Sequence, residues 1–198
     1  MRKVVPISFT LLLVIVSRCK SIDISKINRR INDANALSAE NSPFDSAKAM
    51  ATELKRQLEY RDQYTNRLTD LINTHPNQPI ILRESYSFIC FGCVADYVSI
   101  FTDGTLYEYT FDNSKKEYLE KSRQMNAEDL IFEGGSYDDI KEIYDSIIAD
   151  ENWNIEPKKY GNENCFDGDQ TFYTVFNSKN EISSMYIRCW VPTEFRSQ

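Results

Sequence analysis

Few residues of this 198-residue chain could do covalent chemistry. There are five cysteines (Cys19, Cys90, Cys93, Cys165, Cys189) and a single histidine, His75. One histidine leaves almost no material for a His-based metal cage or a His-dependent triad, and His75 reads as a helix-end or surface residue. Cys90 and Cys93 form a Cys-x-x-Cys pair, while 23 residues lie between Cys165 and Cys189. In an oxidising compartment four cysteines pair as two disulfides, with three connectivities open. The preferred arrangement is Cys90–Cys93 and Cys165–Cys189. A long-loop bridge of the second kind stabilises by about 3 kcal/mol, mainly by restricting the unfolded chain. Cys-x-x-Cys is also the spacing of thiol–disulfide exchange sites, where a helix N-terminus stabilises the attacking thiolate. Here the pair is flanked by strand-like sequence on both sides. A zinc site built from four cysteines would want a second close pair, which is missing. Glu163, Asp167 and Asp169 surround Gly168, but without EF-hand spacing they read as a turn. No phosphate loop, G-x-S-x-G or H-E-x-x-H occurs, and no cofactor or metal is expected.

The elements that must hold these residues follow from periodicity. Segment 22–75 reads as helical. Ile24, Ile27, Ile31 and Ala34 fall on one helix face. Asn41-Ser42-Pro43 then interrupts, with Ser42 as N-cap and Pro43 at the first helical position. No glycine or proline lies between Pro43 and Pro76, so some thirty residues of helix, roughly 45 Å, are expected. The two runs could form a helical hairpin or coiled-coil stalk, but neither apolar stripe is rich enough to stand alone, and packing into the core is the favoured case. Segment 76–198 reads as a sheet with one helix. Strands are expected at 80–89, 95–102, 105–111, 117–125, 171–176 and 182–191, and a helix opens at Ser136. Asp103-Gly104 is a hairpin turn, because glycine adopts positive φ without steric cost. In the last hairpin, pairing Asn177 with Ile182 would set Gln170 opposite Cys189. The predicted fold class is α+β, an N-terminal helical segment followed by an antiparallel sheet packed with one helix.

The first 21 residues look like an export leader. Met1-Arg2-Lys3 is cationic, and Val4 to Val16 is a thirteen-residue run without charge. As a helix it spans roughly 20 Å, short of the ~30 Å hydrocarbon core. Val16-Ser17-Arg18-Cys19 resembles a bacterial lipobox, a resemblance that makes Cys19 the lipidated first residue of the mature chain. Cleavage near Ser21 is the soluble alternative. Either way four cysteines remain for pairing. The expected location is the bacterial cell envelope, in the periplasm or lipid-anchored to a membrane, or outside the cell.

Charge excludes one class of partner. The leader carries four Lys/Arg and no acid, so residues 22–198 hold 19 basic against 30 acidic side chains, net −11. Residues 22–75 are neutral, and the whole excess lies in 76–198. Nucleic acid is repelled by such a field, whereas a basic protein partner is attracted. All twelve tyrosines lie beyond the leader, and tyrosine suits both interfaces and sheet faces. Along 105–111, Leu106, Glu108 and Thr110 share one face and Tyr107, Tyr109 and Phe111 the other. Tyr107, Tyr109, Glu108 and Asp112 are the candidate partner contacts.

Cys90-Phe91-Gly92-Cys93, Tyr97-Val98-Ser99-Ile100 and Asp103-Gly104-Thr105-Leu106-Tyr107 resemble the opening of a family of small exported bacterial domains of uncharacterised function. That family shows Cys-Phe-Gly-x-Cys-Pro-x-Tyr, a strand, an Asp-Gly turn and a returning strand. In this chain the cysteines are one residue closer and the proline is absent. The resemblance implies export and a sheet with one helix and a terminal hairpin, and implies no chemistry. The combined expectation is an exported or lipid-anchored protein-binding module, inhibitor or immunity in type and not catalytic. Thiol–disulfide exchange at Cys90 and Cys93 is the alternative.

Overall fold

A computed structural model describes residues 24–42, 47, 50, 54–87, 94–124, 170–177 and 181–188. The leader, all five cysteines, the cluster around Gly168 and the helix expected from Ser136 lie outside these residues.

The fold is α+β: among the described residues, two long helices lie on one face of a six-stranded antiparallel sheet. Helix α1 is Ile24–Asn41. A 3-10 turn, Leu54–Gln57, leads into helix α2, Leu58–Thr74. The strands are β1 (Ile80–Tyr86), β2 (Tyr97–Thr102), β3 (Thr105–Asp112), β4 (Glu117–Gln124), β5 (Gln170–Phe176) and β6 (Ile182–Arg188), in spatial order β4-β3-β2-β1-β5-β6. Strands β1 to β4 form a meander, and β5–β6 joins the free edge of β1.

Two expectations need correction. Helix α2 has 17 residues, about 26 Å, and starts only after the 3-10 turn, so the thirty-residue rod is not formed. The helices pack into the core, the case favoured over a stalk. Ile27, Ile31, Leu54, Leu68 and Ile72 share one core with Ile80, Leu82, Val98, Ile100 and Phe172 of the sheet. Short helices of mixed polarity gain their stability from such packing. The final hairpin is also shifted by one residue. Phe176 pairs with Ile182 and Gln170 faces Arg188, not Cys189. The cause is the loop: the Asn177 N–H donates to the Glu181 carbonyl, and the Asn177 Oδ1 accepts the Glu181 N–H at 2.9 Å, so position 177 belongs to the turn.

Elsewhere local chemistry acts as expected. Asp103 and Gly104 both have positive φ, 47° and 69°, the backbone of a type I′ turn between β2 and β3. His75 is the C-cap of α2, its N–H bonded to the Leu71 carbonyl at 2.8 Å.

At the centre of the core lies a polar network. Arg61 of α2 and Glu84 of β1 are both fully buried. Arg61 Nε donates to Glu84 Oε1 at 2.9 Å and its Nη2 to Oε2 at 3.0 Å, a bidentate pair. Its Nη1 reaches the Asn28 carbonyl of α1 at 3.3 Å. Glu84 also accepts from the Tyr64 hydroxyl and from Asn35 Nδ2. The Asn35 Oδ1 in turn accepts from Thr174 of β5 and Ser184 of β6. Gln57 extends the network. Its Oε1 accepts the Ala95 N–H at 3.0 Å and its Nε2 donates to the Tyr64 and Tyr118 hydroxyls. Burial alone would lower the Arg61 pKa, but the charge of Glu84 outweighs it and holds the guanidinium above its ordinary value.

The pair makes a direct prediction. Glu84→Gln leaves a buried guanidinium without its anion and is expected to cost about 3–5 kcal/mol. The double change Arg61→Met with Glu84→Leu removes both charges and is expected to cost less than either single change. Denaturant unfolding of the three variants reads this out, and additive losses would show that the charges are not coupled.

Candidate functional site

The candidate contacts sit on the β3–β4 hairpin, and strand geometry divides them. Side chains alternate across a strand, so Tyr107, Tyr109 and Phe111 turn toward the helices while Glu108 turns to the opposite face. Tyr109 is only 1% exposed and packs its ring against Tyr64 at 5.7 Å. It is a core residue in this fold and offers no surface to a partner. The sequence holds no clue to this, because an aromatic on an amphipathic strand suits either face until a helix settles over one of them. Tyr107 is half-buried beneath Arg67 of α2, whose guanidinium carbon lies 5.2 Å from the ring centre.

Glu108 is also partly covered. It accepts from the Tyr97 hydroxyl at 2.6 Å and pairs with Arg123 of β4 at 3.3 Å. Asp112 begins the turn between β3 and β4. It accepts from the Ser114 hydroxyl at 2.6 Å and from the Ser114 N–H at 2.9 Å, and Lys115 lies 3.7 Å away. These bonds from Ser114 hold its carboxyl below the usual range. Asp112 therefore shapes the turn, which closes with Lys116 at φ 59°.

Beside these residues the structure presents a surface that sequence reading did not single out. Strand β4 is the end of the sheet among the described strands, and six of its eight residues are exposed. Glu117, Leu119 and Lys121 share one face, and Leu119 is 46% exposed. On the other face Glu120 pairs with Arg67 at 3.1 Å. A charged edge of this kind discourages strand-to-strand aggregation, and the Tyr118 N–H is already taken by Gln63 Oε1 at 2.7 Å. The only hint in the sequence is the charge-rich run Glu117 to Arg123, which reads equally well as a solvated strand.

No group of three His, Cys, Asp or Glu side chains poised for a metal occurs among the described residues. Among the described residues, the most perturbed ionisable groups belong to the interior. Burial, reinforced by Glu84, pushes the Tyr64 and Tyr86 hydroxyls well above the ordinary tyrosine range. Burial raises Tyr97, Tyr109 and Tyr118 as well. These five phenols are expected to ionise only in the unfolded chain, whose tyrosines titrate near pH ~10. A folded pKa above the unfolded one gives stability that is complete below pH ~10 and is lost as the pH rises beyond it. Phenolate absorbance should therefore show a first group of tyrosines titrating near pH ~10 and a second appearing only with loss of the native circular dichroism. A single titration of all twelve before unfolding would contradict the burial described.

No protein-family model, no curated protein and no solved structure matches the chain.

Proposed function

We propose that this chain is an exported or lipid-anchored cell-envelope protein that acts as a non-catalytic protein-binding module, of the inhibitor or immunity kind. The observation that carries the reading is the exposed edge strand β4. It combines a strand edge that no other described strand covers, an apolar side chain at Leu119 and flanking charges. That is the equipment for partner recognition by strand addition or edge contact. The net charge of −11 beyond the leader favours a basic partner. The leader-like segment 1–21 supports export, with Cys19 as the lipid attachment point. No described helix is long and apolar enough to cross a membrane. The bidentate pair Arg61–Glu84 is sealed in the core and so is unsuited to act on a substrate.

Fractionation of cells carrying a tagged copy is expected to place the protein in the envelope or the medium, with its mass reduced by loss of the leader. Affinity capture from that fraction should recover a protein at near-stoichiometric yield. Leu119→Asp should lower its retention by about tenfold, equivalent to roughly 1.4 kcal/mol, without altering the melting curve. A cytosolic product of full mass with five alkylatable thiols would overturn the export reading. Unchanged retention by Leu119→Asp would remove β4 from the interface.

A further inference from the structure

Arg83 of β1 lies on the sheet face turned away from the helices, and we propose that it is the receptor for a carboxylate group. Its guanidinium is flanked by the rings of Tyr97 and Tyr173, each 5.7 Å from its central carbon. Its Nε donates to Ser85 Oγ at 3.1 Å, and Ser85 Oγ is itself held by Thr171 Oγ1 at 3.1 Å. Plane and direction are thus set from two sides and from below. The terminal nitrogens Nη1 and Nη2 have no acceptor among the described residues, and the side chain keeps part of its surface in water.

The contrast with neighbouring arginines is informative. Arg61 has Glu84, Arg67 has Glu120 and Arg123 has Glu108. Arg83 has no carboxylate among the described residues. Glu108 is two strands away in register, through Ser99, and is already engaged by Tyr97 and Arg123. Ser99 is the direct cross-strand neighbour of Arg83. It is 1% exposed, and its hydroxyl has no hydrogen-bond partner among the described residues. A buried hydroxyl left without a partner is costly and uncommon. Ser99 is closed to solvent, so on this patch of sheet the guanidinium end is the donor open to a ligand.

The chemistry selects the ligand class. The paired Nη groups match the two oxygens of a planar carboxylate. A doubly charged phosphate would meet only one cation here, with Glu108 nearby in a strongly acidic chain. The ring of Tyr97, which keeps part of its surface in water, suits a flat or apolar body behind the carboxylate. That body could come from a small free acid or from the chain end of a peptide.

The test follows the side-chain Nε–H resonance of Arg83 in the 15N-labelled protein. Benzoate, added at constant ionic strength, should shift it saturably. Inorganic phosphate should bind at least about tenfold more weakly. Arg83→Lys keeps the charge and the fold but lacks the fork. Backbone amide shifts of Tyr97 and Ser99 in this variant should report benzoate binding weakened by about tenfold or more. A short peptide with a free C-terminal carboxylate is compared with its amidated form. A preference for the free form shared with benzoate assigns a chain end as the source, and benzoate binding alone assigns a small acid. Absence of a saturable shift, equal binding of phosphate, or undiminished binding by Arg83→Lys would overturn the proposal.

Discussion

The fold depends on a charge that has been taken out of water. Arg61 cannot shed its proton at any ordinary pH, so burying it obliges the protein to supply an anion and further acceptors at fixed positions. Glu84 and the Asn28 carbonyl meet that demand, and Tyr64 and Asn35 saturate the carboxylate from the other side. These partners are drawn from both helices and the sheet. The network thereby fixes how α1, α2 and β1 lie against one another, and Asn35 carries the constraint on to β5 and β6. Apolar packing alone would tolerate small slides of helix over sheet, whereas directional bonds to a buried ion do not.

Gln57 shows the same priority. As N-cap of α2 it makes no side-chain cap bond. Its amide instead satisfies the Ala95 N–H just before β2 and the hydroxyls of Tyr64 and Tyr118. A local preference is given up so that the 3-10 turn, the start of β2 and strand β4 are joined. The tyrosines serve in turn as apolar volume and as polar connectors, with Tyr64 meeting Tyr118 edge to face at 5.3 Å.

The sheet consequently works on two sides. Toward the helices, β1 contributes Ile80, Leu82, Glu84 and Tyr86 to a closed interior. On its other face Ile81 and Ser85 are buried, yet Arg83 between them stays partly exposed. The acidic, tyrosine-rich composition is thus divided. Several tyrosines fill the core, Glu108 and Asp112 brace the hairpin, and β4 and Arg83 keep part of their surface in water.

Strand existence and approximate limits were readable from the chain itself, because alternation, Asp103-Gly104 and Pro76 to Pro79 are local signals. The α+β class followed from them. The helical character of 24–41 and 58–74 was equally local, but the length of the second helix was not, since no breaker marks the 3-10 turn at Leu54–Gln57. The register of the last hairpin turned on Asn177 joining the loop, a choice made by hydrogen bonds across it. What required the tertiary structure was the pairing of distant polar residues. Arg61 and Glu84 look like ordinary surface charges in their own segments, and Tyr109 looks as free as Tyr107. Only the docking of two helices on the sheet decided which of them would lose contact with water, because burial depends on what lies opposite a side chain and periodicity records only which side it is on.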